Sequence, residues 1–120
     1  MIGAIIKTLI GGVGDVYPGR ATQTAKAPFV VYHILSVDPS DTKQAASTLD
    51  TYRVQFNIYG EVLSDCDDLN AAIRAILDGY SGTVGAVKVD SARYIGEVDL
   101  FDDQAQYYCR SVDYKIRIRR

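Results

Sequence analysis

Tryptophan is absent from this 120-residue chain, and histidine and methionine occur once each. The two cysteines, Cys66 and Cys109, lie far apart with no CxxC spacing and no histidine beside them. That spacing speaks against a zinc site and against a thioredoxin-type redox pair, so both are read as reduced thiols. His33, alone and inside a strand-like run, is read as a hydrogen-bonded structural imidazole, because a His-based metal site needs a second ring. No GxGxxG, Walker loop or GxSxG elbow occurs: Gly11, Gly12 and Gly14 follow a helix-like segment and lack a Lys-Ser/Thr partner. The pairs Asp67-Asp68 and Asp102-Asp103 are read as solvated acids, not a proton-sharing or metal-binding dyad. No catalytic, cofactor-binding or metal-binding residue emerges, and the expectation is a protein that is not an enzyme.

Long apolar runs are missing too. Stretches such as Pro28 to Tyr32 fall far short of the roughly 20 residues that cross a bilayer, so no membrane partner is expected. Lys7 interrupts the apolar start and no small-residue cleavage site follows, which disfavours a signal peptide and points to the cytosol that made the chain. Net charge is only -2, too small for a whole-molecule field to gather nucleic acid or an anionic surface. Electrostatics must therefore act through local patches.

Those patches exist. Asp65, Asp67 and Asp68 form one acidic group and Glu97, Asp99, Asp102 and Asp103 another, while Lys115, Arg117 and Arg119 crowd the C-terminus. From Tyr107 onward the chain alternates: Tyr108, Val112, Tyr114, Ile116 and Ile118 on one side, Ser111, Asp113, Lys115, Arg117 and Arg119 on the other. A strand buried on one face is predicted, its outer row basic. Tyrosine is in excess, nine residues, and is read as serving half-buried strands and interfaces, where the ring packs and the hydroxyl stays bonded.

The rest of the chain supplies a scaffold. Ile2, Ile5, Ile6 and Leu9 recur at helical spacing until Gly11-Gly12. Tyr17-Pro18-Gly19 reads as a turn. Phe29 to Val37 reads as a strand, Asp38 to Asp50 as a polar hairpin connection carrying Lys43 and Gln44, and Tyr52 to Tyr59 as its antiparallel partner. Ser64 with Asp67 resembles a capping box opening a helix whose stripe is Cys66, Leu69, Ile73, Ile76 and Leu77, stopped by Gly79. Val87 to Val98 reads as an irregular strand with a bulge at Gly96, and Asp99 to Gln104 as an acidic connection. The expected fold is α+β, one domain over 1–120: an antiparallel sheet of about four strands with two helices packed on one face.

Tyr17-Pro18-Gly19, the run Ala27 to Tyr32, the strand Tyr52 to Tyr59, Leu77-Asp78-Gly79-Tyr80 and Arg110 to Tyr114 together resemble the tail completion, or tail terminator, proteins of long-tailed bacteriophages and prophages. The likeness covers nearly the whole chain. It implies a ring homo-oligomer, by family habit a hexamer, on the head-proximal end of the tail tube in the virion. The subunit would be made in the host bacterial cytoplasm. Its partners would be itself, the tail tube protein and a head connector or stopper protein, with DNA passing through the lumen without specific binding. No catalytic residue or cofactor comes with the resemblance. The candidate subunit or partner interface comprises Lys115, Arg117, Arg119, Asp99, Asp102, Asp103, Lys43 and Gln44. Two other readings stay open, a head-tail adaptor or other virion assembly protein of similar fold, and a nucleic-acid-binding module using the basic row.

Overall fold

The computed structural model describes residues 2–19, 26–40, 49–103 and 106–119. The elements run α1 (Ile2–Ile10), β1 (Asp15–Pro18), β2 (Phe29–Ser40), β3 (Leu49–Gly60), α2 (Leu63–Leu77), β4 (Gly82–Val84), β5 (Val87–Asp102) and β6 (Tyr107–Arg119). Their six strands form one sheet in the order β1-β2-β3-β6-β5-β4. The α+β class is as expected, but the sheet has six strands instead of four and is mixed, because β1 runs parallel to β2.

Each difference has a local cause. Pro18 ends a four-residue strand whose turn glycine, Gly19, has φ of 75° and donates its N–H to the Tyr32 carbonyl at 2.9 Å. The turn was therefore correctly placed, but the strand entering it was missed. The polar residues Asp38, Pro39 and Ser40 continue β2, paired with Thr51, Asp50 and Leu49, so the connection is shorter than the composition implied. β5 absorbs the predicted acidic connection up to Asp102. It bends at two irregularities, between Val89 and Ser91 and between Tyr94 and Gly96, the second beside the glycine singled out for a bulge.

Strand parity sorts the side chains. Val54, Phe56 and Ile58 of β3 and Val112, Tyr114, Ile116 and Ile118 of β6 point inward and are buried, as a period of two requires when one face is covered. The cover is helical. Ile2, Ile5, Ile6 and Ile10 of α1 and Cys66, Leu69, Ile73 and Leu77 of α2 join these strands in one core cluster. Leu77 and Ile73 are at most 1% exposed, and each contributes about 1.5–3 kcal/mol by leaving water. Tyr114 sits at the centre, edge-on to Phe56 at 5.6 Å and to Tyr94 at 5.8 Å between ring centroids.

The start of α2 departs from the predicted capping box. Its N-cap is Val62, in extended conformation with no side-chain cap bond, and Ser64 lies inside the first turn. At the other end Gly79, with φ of 84°, provides the expected left-handed stop. The chain then stitches onto β5: Gly79 N–H donates to the Ala92 carbonyl at 2.8 Å, Ala92 N–H to the Tyr80 carbonyl at 2.9 Å, and Tyr94 N–H to Asp78 Oδ1 at 3.1 Å.

Candidate interaction surfaces

The outer face of the sheet is built from the odd-numbered residues of β3 and β6, and the register brings together charges that are distant in sequence. Lys115 lies between Arg53 on β3 and Arg93 on β5, and Arg117 lies between Thr51 and Ser91. Arg119 extends the row opposite Leu49. Like charges directly opposed across strands repel, so this arrangement is not there for stability. Two members are partly neutralised, Arg53 by Asp113 at 3.2 Å and Arg119 by Asp90 at 3.4 Å. Among the described residues Arg93, Lys115 and Arg117 make no ion pair. With Ser91, Tyr94 and Ile95 they line an open groove of about 330 Å³. The basic row was legible from β6 alone, whereas Arg53 and Arg93 were missed because only register reveals them.

The acidic residues gather at the opposite end. Asp99 sits on the inner side of β5, across from Arg110. Arg110 is 7% exposed, the one charged residue buried among those described. Its Nε donates to Asp99 Oδ1 at 2.6 Å and its Nη2 to Asp99 Oδ2 at 3.3 Å, while Nη1 donates to Asp67 of α2. Glu97 Oε2 lies 3.3 Å from Nε. Three carboxylates thus surround one guanidinium, and the bonds from Arg110 hold the Asp99 carboxyl below its ordinary pKa. Glu97 in turn accepts from the Tyr94 hydroxyl at 2.6 Å and from Asn70 Nδ2 at 3.0 Å. The hydrogen bond to Glu97, ahead of burial, raises the Tyr94 pKa.

From sequence Asp67 was read as a capping-box member and a solvated acid; in the fold it ties α2 to β6. Arg110 went unnoticed although it is the member of β6 that breaks the alternation, a charge at an inward position between Tyr108 and Val112. Asp102 is the last residue of β5, opposite Tyr107, and Asp103 follows it, exposed. The side chain of Asp102, like Lys43 and Gln44, lies outside the described residues.

The two charge groups are far apart. β6 carries Tyr107 and Arg110 at one end and Lys115 to Arg119 at the other, about 40 Å end to end at 3.4 Å per residue. The molecule as a whole measures 52 × 25 × 25 Å. Near the acidic end the outer face turns aromatic: Phe29 stacks on Tyr59 at 5.0 Å and meets Tyr107 and Tyr17 edge-on at 6.0 and 6.2 Å. Cys66 and Cys109 are both buried, and no disulfide joins them. Burial raises the Cys66 thiol's pKa, which leaves it a poor nucleophile. His33 lies half-buried on β2 opposite Gln55. Among the described residues no three His, Cys, Asp or Glu side chains group to hold a metal ion, and no helix is long and apolar enough to cross a membrane.

Two charged ends on one stiff sheet suit a part that is held between neighbours, and comparison with known proteins gives the class. The family described as tail completion protein gp17 matches residues 4–119. This chain belongs to that family. It is a phage tail-associated assembly protein. Among solved structures it resembles a chain of the virion of a native gene transfer agent particle, with a TM-score of 0.72 and 13% identity over 98% of this chain and 86% of that one. At that identity the likeness shows the fold alone. No curated protein matches in sequence.

Proposed function

We propose that this tail completion protein is a tail terminator. Copies close into a ring, a hexamer on the family resemblance, at the head-proximal end of the tail tube. The ring stops tube growth and gives the head connector or stopper protein a surface to join, while DNA passes through its lumen without specific binding. The observation that carries this reading is the separation of charge along the strands. Asp102 and Asp103 stand at one end, beside an Asp99 that Arg110 already holds, and Lys115, Arg117 and Arg119 at the other, too distant to neutralise each other within a subunit. In a ring whose axis follows the strands, each end faces a different neighbour, and complementary potential sets partner and polarity. Lys43 and Gln44 would extend the contact on one side.

The test is tube length. Tube subunits assembled without this protein should overgrow, and adding it should arrest them with density at one end only. Tubes of unchanged length, or decoration along the walls, would refute the reading. Two observations favour other readings enough to name them. Arg93, Lys115 and Arg117, without an ion pair among the described residues, suit phosphate contact, and salt-sensitive retention of DNA by the isolated subunit would support a nucleic-acid-binding module instead. A shared virion fold also suits a head-tail adaptor, which would bind connector and ignore tube.

A further inference from the structure

The two long edges of the sheet carry matching steps. β1 is an edge strand and pairs with β2 only over Phe29 to Tyr32, so β2 stands without a strand on that side from residue 33 onward. At the other edge β4 pairs with β5 only over Val87 to Val89, and residues 78–80 bond to Ala92 and Tyr94. Among the described residues no backbone group pairs with residues 97–101 on that side. Across the ladders Val16 lies at the height of Val30, Arg110 and Asp99, and Tyr17 at the height of Val31, Ser111 and Val98. The strand that protrudes at one edge is thus level with the bare stretch at the other. In the same way Ile34, beyond the end of β1, is level with Tyr94, where residues 78–80 protrude.

The backbone specifies what can lie against each step. Gly19 gives its N–H to the Tyr32 carbonyl, and Pro18 has no N–H to give, so the odd-numbered residues of β1 bond to β2. The N–H and C=O of Val16 and the C=O of Pro18 therefore point away from the sheet. On β5, Ala92 and Tyr94 turn their N–H groups outward. Glu97, Asp99 and Phe101, opposite Val112, Arg110 and Tyr108, hold positions of the same type. Val16 and Asp99 are level, face outward from opposite edges, and can exchange both backbone bonds. Pro18, level with Glu97, can only accept, which ends the ladder there. Edges of this kind recruit another strand.

We infer that a second copy of this chain fills the gap, β1 of one subunit adding antiparallel to residues 97–101 of the next. This rests on the ring reading above and names its seam. β1 runs with β2 and against β5, so copies turned about an axis along the strands meet antiparallel. Their equal heights leave no rise from copy to copy, as a heterologous contact needs in order to close. The irregularities between Ile34 and Ser36 and between Tyr94 and Gly96 both lie outside the paired stretch. The side chains match as well. Val98, 59% exposed, shares the height and the outer face of Tyr17. Phe101, 46% exposed, lies one step past Leu100, level with Gly14, on the face that the helices cover. There β1 and the end of α1 leave a groove of about 200 Å³ lined by Lys7, Gly11, Gly14 and Val16. The neighbour's Phe101 is the apolar group that enters it.

Tyr17→Cys combined with Val98→Cys in the full chain tests the seam. Within a subunit these positions are four strand spacings apart, about 19 Å at ~4.8 Å each, beyond the reach of a disulfide. Across the seam they form a non-hydrogen-bonded pair with Cα atoms about 4.5 Å apart, within that reach. Thermal unfolding near that of wild type verifies folding. Mild oxidation should link the double variant into covalent ladders that end at the ring's copy number on a non-reducing gel. Either single variant should stay monomeric, and a mixture of the two should stop at dimers. Phe101→Lys should weaken self-association tenfold or more. In wild-type rings, which need no substitution, the amides of Val16 and Asp99 should exchange more slowly than in the free subunit. Double-variant rings that appear in electron micrographs but do not cross-link, or wild-type rings that leave those amides unprotected, would overturn the seam while leaving the terminator intact. Failure of the wild type to form rings even on tubes would remove both.

Discussion

Replacing Arg110 with methionine is the sharpest test of how this fold is held together. The guanidinium is 7% exposed and binds Asp99 through two nitrogens and Asp67 through a third, with Glu97 3.3 Å away. It thereby fastens the N-terminal part of α2 to β5 and β6. Methionine keeps most of the buried stem, so the loss isolates the charge interactions. Removing one partner of a fully buried pair costs about 3–5 kcal/mol, but the side chains of Asp67 and Asp99 are 59% and 54% exposed and regain water. We expect a loss of about 2 kcal/mol, between that value and the ~1 kcal/mol ceiling of a surface pair. For a domain this long that lowers Tm by about 6–12 °C.

The pH dependence separates this account from simple loss of packing. Bonding to Arg110 depresses the folded-state pKa of Asp99, so its contribution is fully present above the unfolded value near 3.9 and disappears as pH falls through the folded one. Wild type should therefore lose stability on an acid limb below about pH 4 that is flatter in Arg110→Met. Differential scanning calorimetry from pH 2.5 to 7 reads both effects. A Tm change under about 2 °C, or superimposable acid limbs, would refute the role assigned to Arg110.

Two further substitutions probe the core and the charged ends. The Tyr114 hydroxyl is buried with no hydrogen-bond partner among the described residues, and burial raises its pKa; Tyr114→Phe should therefore gain about 1 kcal/mol in urea unfolding, and a loss would show that the hydroxyl is satisfied. Among the described residues Arg117→Glu with Arg119→Glu breaks only the exposed Arg119–Asp90 pair, so stability should stay within about 0.5 kcal/mol while attachment to tube or connector falls. Unchanged attachment in a pull-down would remove the basic end from the contact surface.

What sequence revealed and what it concealed follow from the range of the signal. β6 was legible because thirteen residues keep one period with one buried face. α2 was legible because Cys66, Leu69, Ile73 and Leu77 share a stripe and Gly79 stops it. β1 and β4 have four and three residues, too few for a period to register, and the turn chemistry of Tyr17-Pro18-Gly19 masked the first. β5 was truncated because irregularities beside Asp90 and Ile95 shift its faces mid-strand, so no single alternation runs through it. The interaction surfaces are harder still. Lys115, Arg117 and Arg119 announce themselves on one strand, but Arg53 and Arg93 join them only through register, which no local pattern encodes.

Arg110 shows how such a residue can nevertheless be found. Along β6 every other inward position in the core half is apolar, and a lone charge there must be either exposed or paired. The strand's own alternation excludes exposure. Pairing then requires carboxylates at the end of the sheet where Arg110 sits, and the two acidic groups offer them: Asp67, from a pair read as solvated, and Asp99, read as a candidate interface residue. The same logic separates the two kinds of charge in this protein. Acids that answer a buried arginine hold the subunit together, whereas Arg93, Lys115 and Arg117, set side by side on the outer face with no acid among the described residues to answer them, are on the terminator proposal left for a counterpart on another molecule.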